Sequence, residues 1–180
     1  MPVPSLIGFL NSLRRRIVVS FKGCRCIDKV RLFGWSILES VPRSLLQTLP
    51  TLKEYIERAK NLLLRKVIIK VNESKFTVLD SESVFIISPE FESWIWKHLK
   101  VAKGDVFLDV GAHIGKYTIP IAKIVGENGL VIAVEPHPTN YKTLLENIRL
   151  NGLKNVIALN IAAWSENRKK TLFIGDKPGH

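Results

Sequence analysis

The chain has 180 residues, of which 46% are hydrophobic, and a formal net charge of +11. This composition predicts a packed core, in one domain or in one domain with an extension. Apolar runs stay well short of the ~18 residues that a membrane-spanning helix needs, and two cysteines are too few for a disulfide framework or a zinc site. We therefore expect a cytoplasmic protein without a metal centre.

The positive charge is concentrated at the N-terminus, where residues 1–66 hold 13 basic and 4 acidic side chains. Five apolar residues recur at helical spacing beside Arg14–Arg16: Leu6, Ile7, Leu10, Leu13 and Ile17. Residues 1–50 are therefore interpreted as a basic, partly helical extension that packs on the domain or makes peripheral contact with an anionic membrane. A basic face also suits phosphate groups. The segment has no recognition motif or alternation of aromatic and basic residues, so we expect no nucleic-acid partner.

Residues 51–100 are predicted to contain a helix, a β-hairpin and a second helix. Thr51 opens a capping box and predicts the start of the first helix. The β-prone runs Lys66–Val71 and Lys75–Leu79 predict a hairpin, and Val84–Ile87 is interpreted as a further strand. Five residues of the second helix share one face and are expected in the core: Phe91, Trp94, Ile95, His98 and Leu99.

The most informative stretch is residues 106–115, Val-Phe-Leu-Asp-Val-Gly-Ala-His-Ile-Gly. Its first five residues are β-prone and mostly apolar, as expected of a strand buried on both faces of a parallel sheet. Gly111 allows a tight turn beside a ligand, and Gly115 allows the next helix to approach closely. The spacing differs from the dinucleotide fingerprint Gly-x-Gly-x-x-Gly. Asp109 would repel a phosphate but suits the ammonium and sulfonium groups of S-adenosylmethionine.

A second predicted strand, Leu130–Val134, ends at Glu135, 26 residues after Asp109. In a βαβ unit, an acidic residue at this position accepts hydrogen bonds from ribose hydroxyl groups. Pro136 stiffens the following turn and leaves an apolar surface for an adenine ring. The spacing of the two acidic residues therefore favours a nucleotide-containing cofactor.

The remaining elements continue the alternation of helices and strands. The first helix after the glycine-rich turn is predicted at 116–125, with a kink at Pro120. Thr139 is predicted to cap the next helix, which ends at the Asn-Gly pair 151–152. Strands are predicted at Asn155–Leu159 and Lys170–Ile174.

Four segments resemble the FkbM family of S-adenosylmethionine-dependent methyltransferases, over roughly residues 87–174: Asp109–Gly115, Glu135–Pro138, Asn147-x-x-x-Asn151 and Asn160–Ala162. The resemblance implies an α/β, Rossmann-like class I methyltransferase sheet in residues 101–180, preceded by the helical extension and the hairpin segment. It also implies methyl transfer from S-adenosylmethionine to a hydroxyl oxygen of a small-molecule, glycan or lipid acceptor.

The resemblance further implies that Asp109 and Gly111 lie near the methionine part of the cofactor, Glu135 at the ribose, and the segment after Asn160 beside the adenine. Either Glu90 or Glu92 resembles a glutamate of that family. The complete set of expected cofactor-binding residues is Asp109, Gly111, Ala112, His113, Gly115, Glu135, Pro136, Asn160 and Ala162. His113 and His137 are interpreted as cofactor or solvent contacts, and no catalytic base is assigned.

The chain stops before the fourth strand of that fold, so only the N-terminal half of the sheet is expected. Because the fourth strand pairs with the first, Val106–Val110 would present an unpaired apolar edge. The chain is then a fragment, is completed by a second polypeptide, or associates with itself. The alternative function is a non-catalytic remnant that keeps half of a cofactor site and docks on a membrane or acidic partner through its basic N-terminus.

Overall fold

The computed structural model describes residues 18–166 and Thr171. The expected amphipathic helix beside Arg14–Arg16 lies outside the described residues, as does the expected strand Lys170–Ile174 apart from Thr171. In the part of the chain that is described, no helix combines the length and apolar character needed to cross a bilayer. The described residues form two compact units, and the chain passes from one to the other three times between residues 70 and 85.

The first unit is mainly helical. It comprises the described residues up to Lys70 together with Val78–Val84. Its helices include α1 (Cys26–Glu39), α2 (Arg43–Thr48) and α3 (Pro50–Leu64), and α3 contacts both α1 and α2. Burial of each large apolar side chain in its core contributes about 1.5–3 kcal/mol to stability; these residues include Leu32, Trp35, Leu46, Ile56 and Leu64.

Helix α3 begins one residue earlier than its predicted capping box. Its first residue is Pro50, and no side chain caps its N-terminus, so the prediction that Thr51 starts the helix is wrong. Proline at the first helical position already has the φ that a helix requires and lacks an N–H group that would go unpaired there. Glu54 and Arg58, one helical turn apart, form an ion pair on the exposed surface, with 2.6 Å between Oε1 and Nη2.

Helix α1 is not predicted by apolar periodicity, because Asp28 and Ser36 lie on its buried face. The Asp28 carboxylate accepts hydrogen bonds of 2.8 Å from both Nε and Nη2 of Arg25. Ser36 donates to a carbonyl one helical turn earlier. Both polar groups are therefore satisfied inside the core, as burial requires.

The predicted hairpin is confirmed as strands β1 (Ile68–Val71) and β2 (Ser74–Thr77), which form a two-stranded sheet. The expected strand at Val84–Ile87 is wrong, because this segment belongs mostly to helix α4 (Ser81–Ile86). The Asp80 carboxylate accepts hydrogen bonds from the backbone N–H and the hydroxyl of Ser83, both at 2.8 Å. Such a bond satisfies a free N–H group in the first helical turn and favours helix over strand.

The expected core helix after Pro89 is mostly absent. Only Ile95–His98 form a helix, α5, and Trp94 is 62% exposed. Glu92 has φ 53°, in the left-handed region, so the chain cannot run as one right-handed helix through the predicted stripe. The prediction that this stripe is buried is therefore wrong.

The second unit contains a parallel sheet. Strands β3 (Val106–Val110), β4 (Leu130–Val134) and β5 (Val156–Leu159) lie in the order β3-β4-β5. Helices α6 (Thr118–Val125) and α7 (Pro138–Leu150) connect them and share one face, because successive crossovers in one direction have the same hand. Pro120 lies in the first turn of α6, where its missing N–H group is tolerated, so its predicted position inside a longer helix is wrong.

The opposite face of the sheet is exposed along β3. Val106, Leu108 and Val110 are 70%, 59% and 57% exposed, so the prediction that β3 is buried on both faces is wrong. Ile157 on β5 is also 49% exposed. Within the described residues, β3 pairs on one side only, with β4, and is therefore an edge strand.

Candidate functional site

The candidate site lies where β3 and β4 end. Val110 pairs with Val134, so the loops after both strands begin side by side. The backbone N–H groups of Gly111 and Ala112 both donate to the carbonyl oxygen of Val134, at 2.8 and 3.0 Å. Gly111 has φ 82°, which a residue with a side chain rarely adopts. In open α/β sheets, ligands bind at this edge, outside the carboxyl ends of the strands.

Gly115 ends the loop against helix α7. Its φ is 100°, and a Cβ atom there would lie 2.9 Å from Cδ1 of Leu144 and 3.0 Å from Cγ1 of Ile119. Any side chain at this position would push the loop away from α7. Glycine is therefore required here for both conformation and close packing.

Glu135 joins the loops that follow β3 and β4. Its side chain is buried, and its oxygens accept hydrogen bonds of 2.8 Å from the backbone N–H groups of His113 and His137. An ionised carboxylate accepts about four hydrogen bonds, so it retains capacity for a ligand. His113 has φ 51°, and its bond to Glu135 helps to hold this uncommon backbone conformation.

Asp109 is buried beneath the loop. It accepts hydrogen bonds from the hydroxyl and backbone N–H groups of Thr118, at the start of α6. Burial raises the pKa of Asp109, the bonds from Thr118 oppose that shift, and the nearby charge of Glu135 adds to it. Two carboxylates therefore lie near each other at the ends of adjacent strands, where a cationic group would relieve their repulsion.

A third loop contributes Glu92 to this region. One oxygen of its carboxylate lies 3.2 Å from Nζ of Lys116 and accepts a hydrogen bond of 2.8 Å from the hydroxyl of Tyr117. Lys116 is buried, and its ammonium lies 4.1 Å from the centroid of the Phe91 ring. Burial lowers the pKa of Lys116, whereas burial and the charge of Glu92 raise the pKa of Tyr117. Of the two candidate glutamates, it is Glu92 that contacts the loop.

Asn160 follows β5, next to the end of β4. Asn160 Nδ2 donates to the backbone oxygens of Glu135 and Pro136, at 2.8 and 3.0 Å, and so brings the ends of β4 and β5 together. Ala162 lies exposed beyond Asn160. These contacts bring Asn160 beside Pro136, two of the residues expected at the adenine.

His137, rather than Thr139, caps α7. Its Nδ1 accepts hydrogen bonds from the backbone N–H groups of Thr139 and Asn140, at 3.2 and 3.5 Å. The prediction of Thr139 as the cap is therefore wrong, because Pro138 already occupies the first helical position. This contact gives His137 a structural role at the edge of the site.

Sequence reasoning did not identify the structural role of Asn147 and Asn151. Asn147 is fully buried; its Oδ1 accepts from Thr77 N–H at 2.7 Å, and its Nδ2 donates to the carbonyl oxygen of Ile114 at 2.8 Å. Asn151 binds both backbone groups of Lys75, at 3.0 and 2.7 Å. Asn147 lies among the apolar residues of the buried face of α7. A polar residue at such a position indicates a buried hydrogen bond, and this was the signal in the sequence.

The parallel sheet, its crossover helices and the glycine loop define an α/β, Rossmann-like fold of the S-adenosylmethionine-dependent methyltransferase type. A family model described as the TRM5/TYW2 methyltransferase domain matches residues 68–171, more than half of the chain. The chain therefore belongs to the TRM5/TYW2 methyltransferase domain family. Membership confirms the expected fold class, the methyltransferase enzyme class and S-adenosylmethionine as the cofactor of the family.

Individual relatives match shorter stretches. The chain is 47% identical over 57 residues to tRNA(Phe) (4-demethylwyosine(37)-C(7)) aminocarboxypropyltransferase of Methanocaldococcus jannaschii, covering 32% of this chain and 22% of that protein. It is 34% identical over 86 residues to tRNA (guanine(37)-N(1))-methyltransferase of Macaca mulatta, covering 46% of this chain and 16% of that protein. The crystal structure of M. jannaschii TYW2 in complex with AdoMet aligns with a TM-score of 0.45 and 34% identity. The alignment covers 53% of this chain and 42% of the TYW2 chain. The matched stretches span less than a quarter of these curated relatives.

Two predictions are corrected by these comparisons. The resemblance to the FkbM family is wrong, because the family that matches is TRM5/TYW2. A strand, a glycine loop and a helix followed by an acidic residue are general features of nucleotide-binding βαβ units. The expectation of no nucleic-acid partner is also wrong, because these relatives are named as tRNA-modifying enzymes. O-methylation of a hydroxyl acceptor has no support from the family.

The residues present fit the cofactor of the family. Asp109 and Glu135 supply two buried carboxylates, which suit a ligand that carries positive charge and hydroxyl groups. Gly111 and Gly115 keep the intervening loop free of side chains at two of its bends. S-adenosylmethionine carries an ammonium, a sulfonium and a ribose diol. Its positive charges and hydroxyl groups therefore match these two carboxylates, which accept hydrogen bonds.

Proposed function

We propose that this chain is an S-adenosylmethionine-dependent methyltransferase that acts on tRNA. The observation that carries the proposal is the family match over residues 68–171, which includes the glycine loop and both buried carboxylates. The names of the relatives supply the substrate class.

In the proposed complex, Asp109 and the loop residues Gly111, Ala112, His113 and Gly115 bind the methionine part of the cofactor. Glu135 accepts hydrogen bonds from the ribose hydroxyl groups, because its position after the second strand is the one that acidic residues occupy in nucleotide-binding βαβ units.

Three further residues, Pro136, Asn160 and Ala162, border the adenine. When bound, S-adenosylmethionine supplies a methyl carbon activated by its sulfonium. The chain itself contributes orientation and charge, which lower the barrier by holding reactants in a productive geometry.

A second reaction is favoured by one comparison. The M. jannaschii relative with 47% identity is named as an aminocarboxypropyltransferase rather than a methyltransferase. The sulfonium of S-adenosylmethionine carries both a methyl and an aminocarboxypropyl group, so the same cofactor site serves either transfer. The group that reaches the tRNA distinguishes the two.

The test uses the 180-residue chain, unmodified tRNA and two forms of labelled cofactor. One form carries the label in the methyl group, and the other carries it in the carboxyl group of the aminocarboxypropyl part. The methyl label should enter the tRNA, and the carboxyl label should not. The reverse result would assign aminocarboxypropyl transfer. Glu135→Gln should weaken binding of S-adenosylhomocysteine, measured by calorimetric titration. Saturable cofactor binding without transfer of either label to tRNA would contradict the proposed substrate and favour a non-catalytic role.

A further inference from the structure

Two segments of the first unit pair edge to edge and bring basic residues together. Gly23 and Ile69 form an antiparallel bridge, and the N–H of Lys70 donates to the carbonyl oxygen of Lys22 at 2.7 Å. Lys22 and Lys70 are therefore directly opposite each other, and opposite residues of an antiparallel pair project on the same side. Lys70 is exposed and Lys22 is half-buried.

Arg25 connects this pair to the end of α3. Its Nη2 donates to the carbonyl oxygen of Lys66 at 2.7 Å. Arg25, Arg65 and Lys66 are all exposed. The five residues that these contacts bring to one region are called the basic cluster: Lys22, Arg25, Arg65, Lys66 and Lys70.

Carboxylates neutralise other basic groups of this unit and, within the basic cluster, Arg25, which pairs with Asp28. Arg58 pairs with Glu54, and Lys60 pairs with two glutamates. Among the described residues, no ion pair joins Lys22, Arg65 or Lys66 to an acid. The charges of these three residues are therefore available to a bound polyanion.

The backbone that carries Lys22 is held in place. A Cβ atom at Gly23 would lie 2.7 Å from the backbone nitrogen of Lys29, so only glycine fits this contact. Phe21, beside Lys22, is 74% exposed. An exposed aromatic ring next to fixed positive charges is the combination that binds single-stranded or looped RNA, through base stacking and phosphate contacts.

We propose that the basic cluster is a docking surface for the phosphate backbone of tRNA, with Phe21 available to stack on an unpaired base. The proposal rests on the proposed function, because tRNA is the substrate assigned there. An anionic membrane is disfavoured because the cluster combines a turn, a strand and a helix end, whereas membrane-surface helices carry their charges along one helical face.

The test compares two double variants with the same change in charge. Lys22→Gln/Lys70→Gln alters the basic cluster, and Arg43→Gln/Lys53→Gln alters exposed residues of α2 and α3. Affinity for unmodified tRNA is measured by fluorescence anisotropy over a series of salt concentrations. The first variant should bind about tenfold more weakly, and its log–log salt dependence should be shallower by about 1.5, because each phosphate contact contributes roughly 0.7–0.9. The control should change affinity less than about twofold.

Each outcome decides one claim. Equal weakening in both variants would show a general charge effect and overturn the docking surface. Loss of binding to phosphatidylserine vesicles, with tRNA affinity unchanged, would assign the cluster to a membrane. A wild-type chain that binds S-adenosylhomocysteine but not tRNA would contradict the proposed function itself.

A second measurement needs no substitution. Bound tRNA should slow acetylation of Lys22, Lys66 and Lys70 by acetic anhydride, whereas Lys53 should react at its unbound rate. Mass spectrometry of the wild-type chain quantifies each site. Equal protection of Lys53 would contradict a localised docking surface even if the variants fail to fold.

Discussion

Asp109 is a carboxyl group whose charge the folded protein disfavours. Burial raises its pKa, and the charge of Glu135 adds to the shift. Because the folded-state pKa lies above the unfolded value, the stability that this group contributes is fully present below the unfolded pKa. That stability is lost as pH rises through the folded pKa. Above the unfolded pKa, this carboxyl group therefore lowers the stability of the ligand-free protein, as is common for groups that serve a ligand.

Asp109→Asn should separate stability from binding. The amide oxygen can still accept a hydrogen bond from Thr118, but the buried charge is gone. The variant should melt at a higher temperature than wild type at pH 7, and the gain should shrink below about pH 4, near the unperturbed pKa of aspartate. Thermal melts between pH 4 and pH 8 measure this difference.

The same variant tests the ligand that Asp109 serves. Its affinity for S-adenosylmethionine should fall further than its affinity for S-adenosylhomocysteine, because only the former carries a sulfonium charge. Calorimetric titration with both ligands provides the comparison. An equal loss for the two ligands would show that Asp109 does not act on the sulfonium.

At the scale of elements, Asn147 and Asn151 attach helix α7 to strand β2. Asn147→Ala leaves three buried backbone groups without their partner, those of Thr77 and Ile114. We expect the free energy of unfolding to fall by about 2–4 kcal/mol. Asn151→Ala, at a more exposed position, should cost about 1 kcal/mol. Urea denaturation of both variants measures the difference, and equal costs would argue against the buried network.

Elements with continuous apolar runs were predictable, whereas those stabilised by polar contacts were not. Strands β4 and β5 follow their β-prone runs closely. Helix α1 escaped prediction because Asp28 occupies its core face, and α4 because Asp80 starts a helix in a β-prone run. The spacing of apolar residues predicts which apolar side chains are buried. It cannot predict a buried or helix-starting carboxylate whose hydrogen bonds come from a nearby donor.

The candidate site likewise contains residues that could be predicted from the sequence and residues that could not. Asp109, Gly111 and Glu135 were recognisable because strand ends and glycines have fixed spacing in a βαβ unit. The contacts of Lys116 with Glu92 join residues 24 apart through an irregular loop, so no local pattern indicates them. The family itself was misassigned for a related reason: this βαβ unit is shared by families that act on different acceptors.

At the scale of the whole molecule, the exposed face of the sheet should govern association. Val106, Leu108 and Val110 project apolar side chains from an edge strand, and contiguous exposed apolar groups favour self-association. Leu108→Lys should lower the concentration-dependent light scattering of the 180-residue chain. Its free energy of unfolding should change by less than about 0.5 kcal/mol, because Leu108 is already 59% exposed.

A core substitution provides the contrast. Ile121→Ala should cost about 2–5 kcal/mol of stability without reducing association, since Ile121 is fully buried on the other face. Unchanged scattering in the Leu108→Lys variant would show that the exposed face does not mediate association.

The hydrogen bonds of the Asn147 side chain should also affect hydrogen exchange on β2. It holds the Thr77 amide on β2 and the Ile114 carbonyl in the glycine loop, so these distant segments share one anchor. The Thr77 amide proton can exchange with solvent only when that anchor opens. Occupation of the glycine loop by a ligand would therefore slow hydrogen exchange on a strand that lies more than 30 residues earlier in the chain.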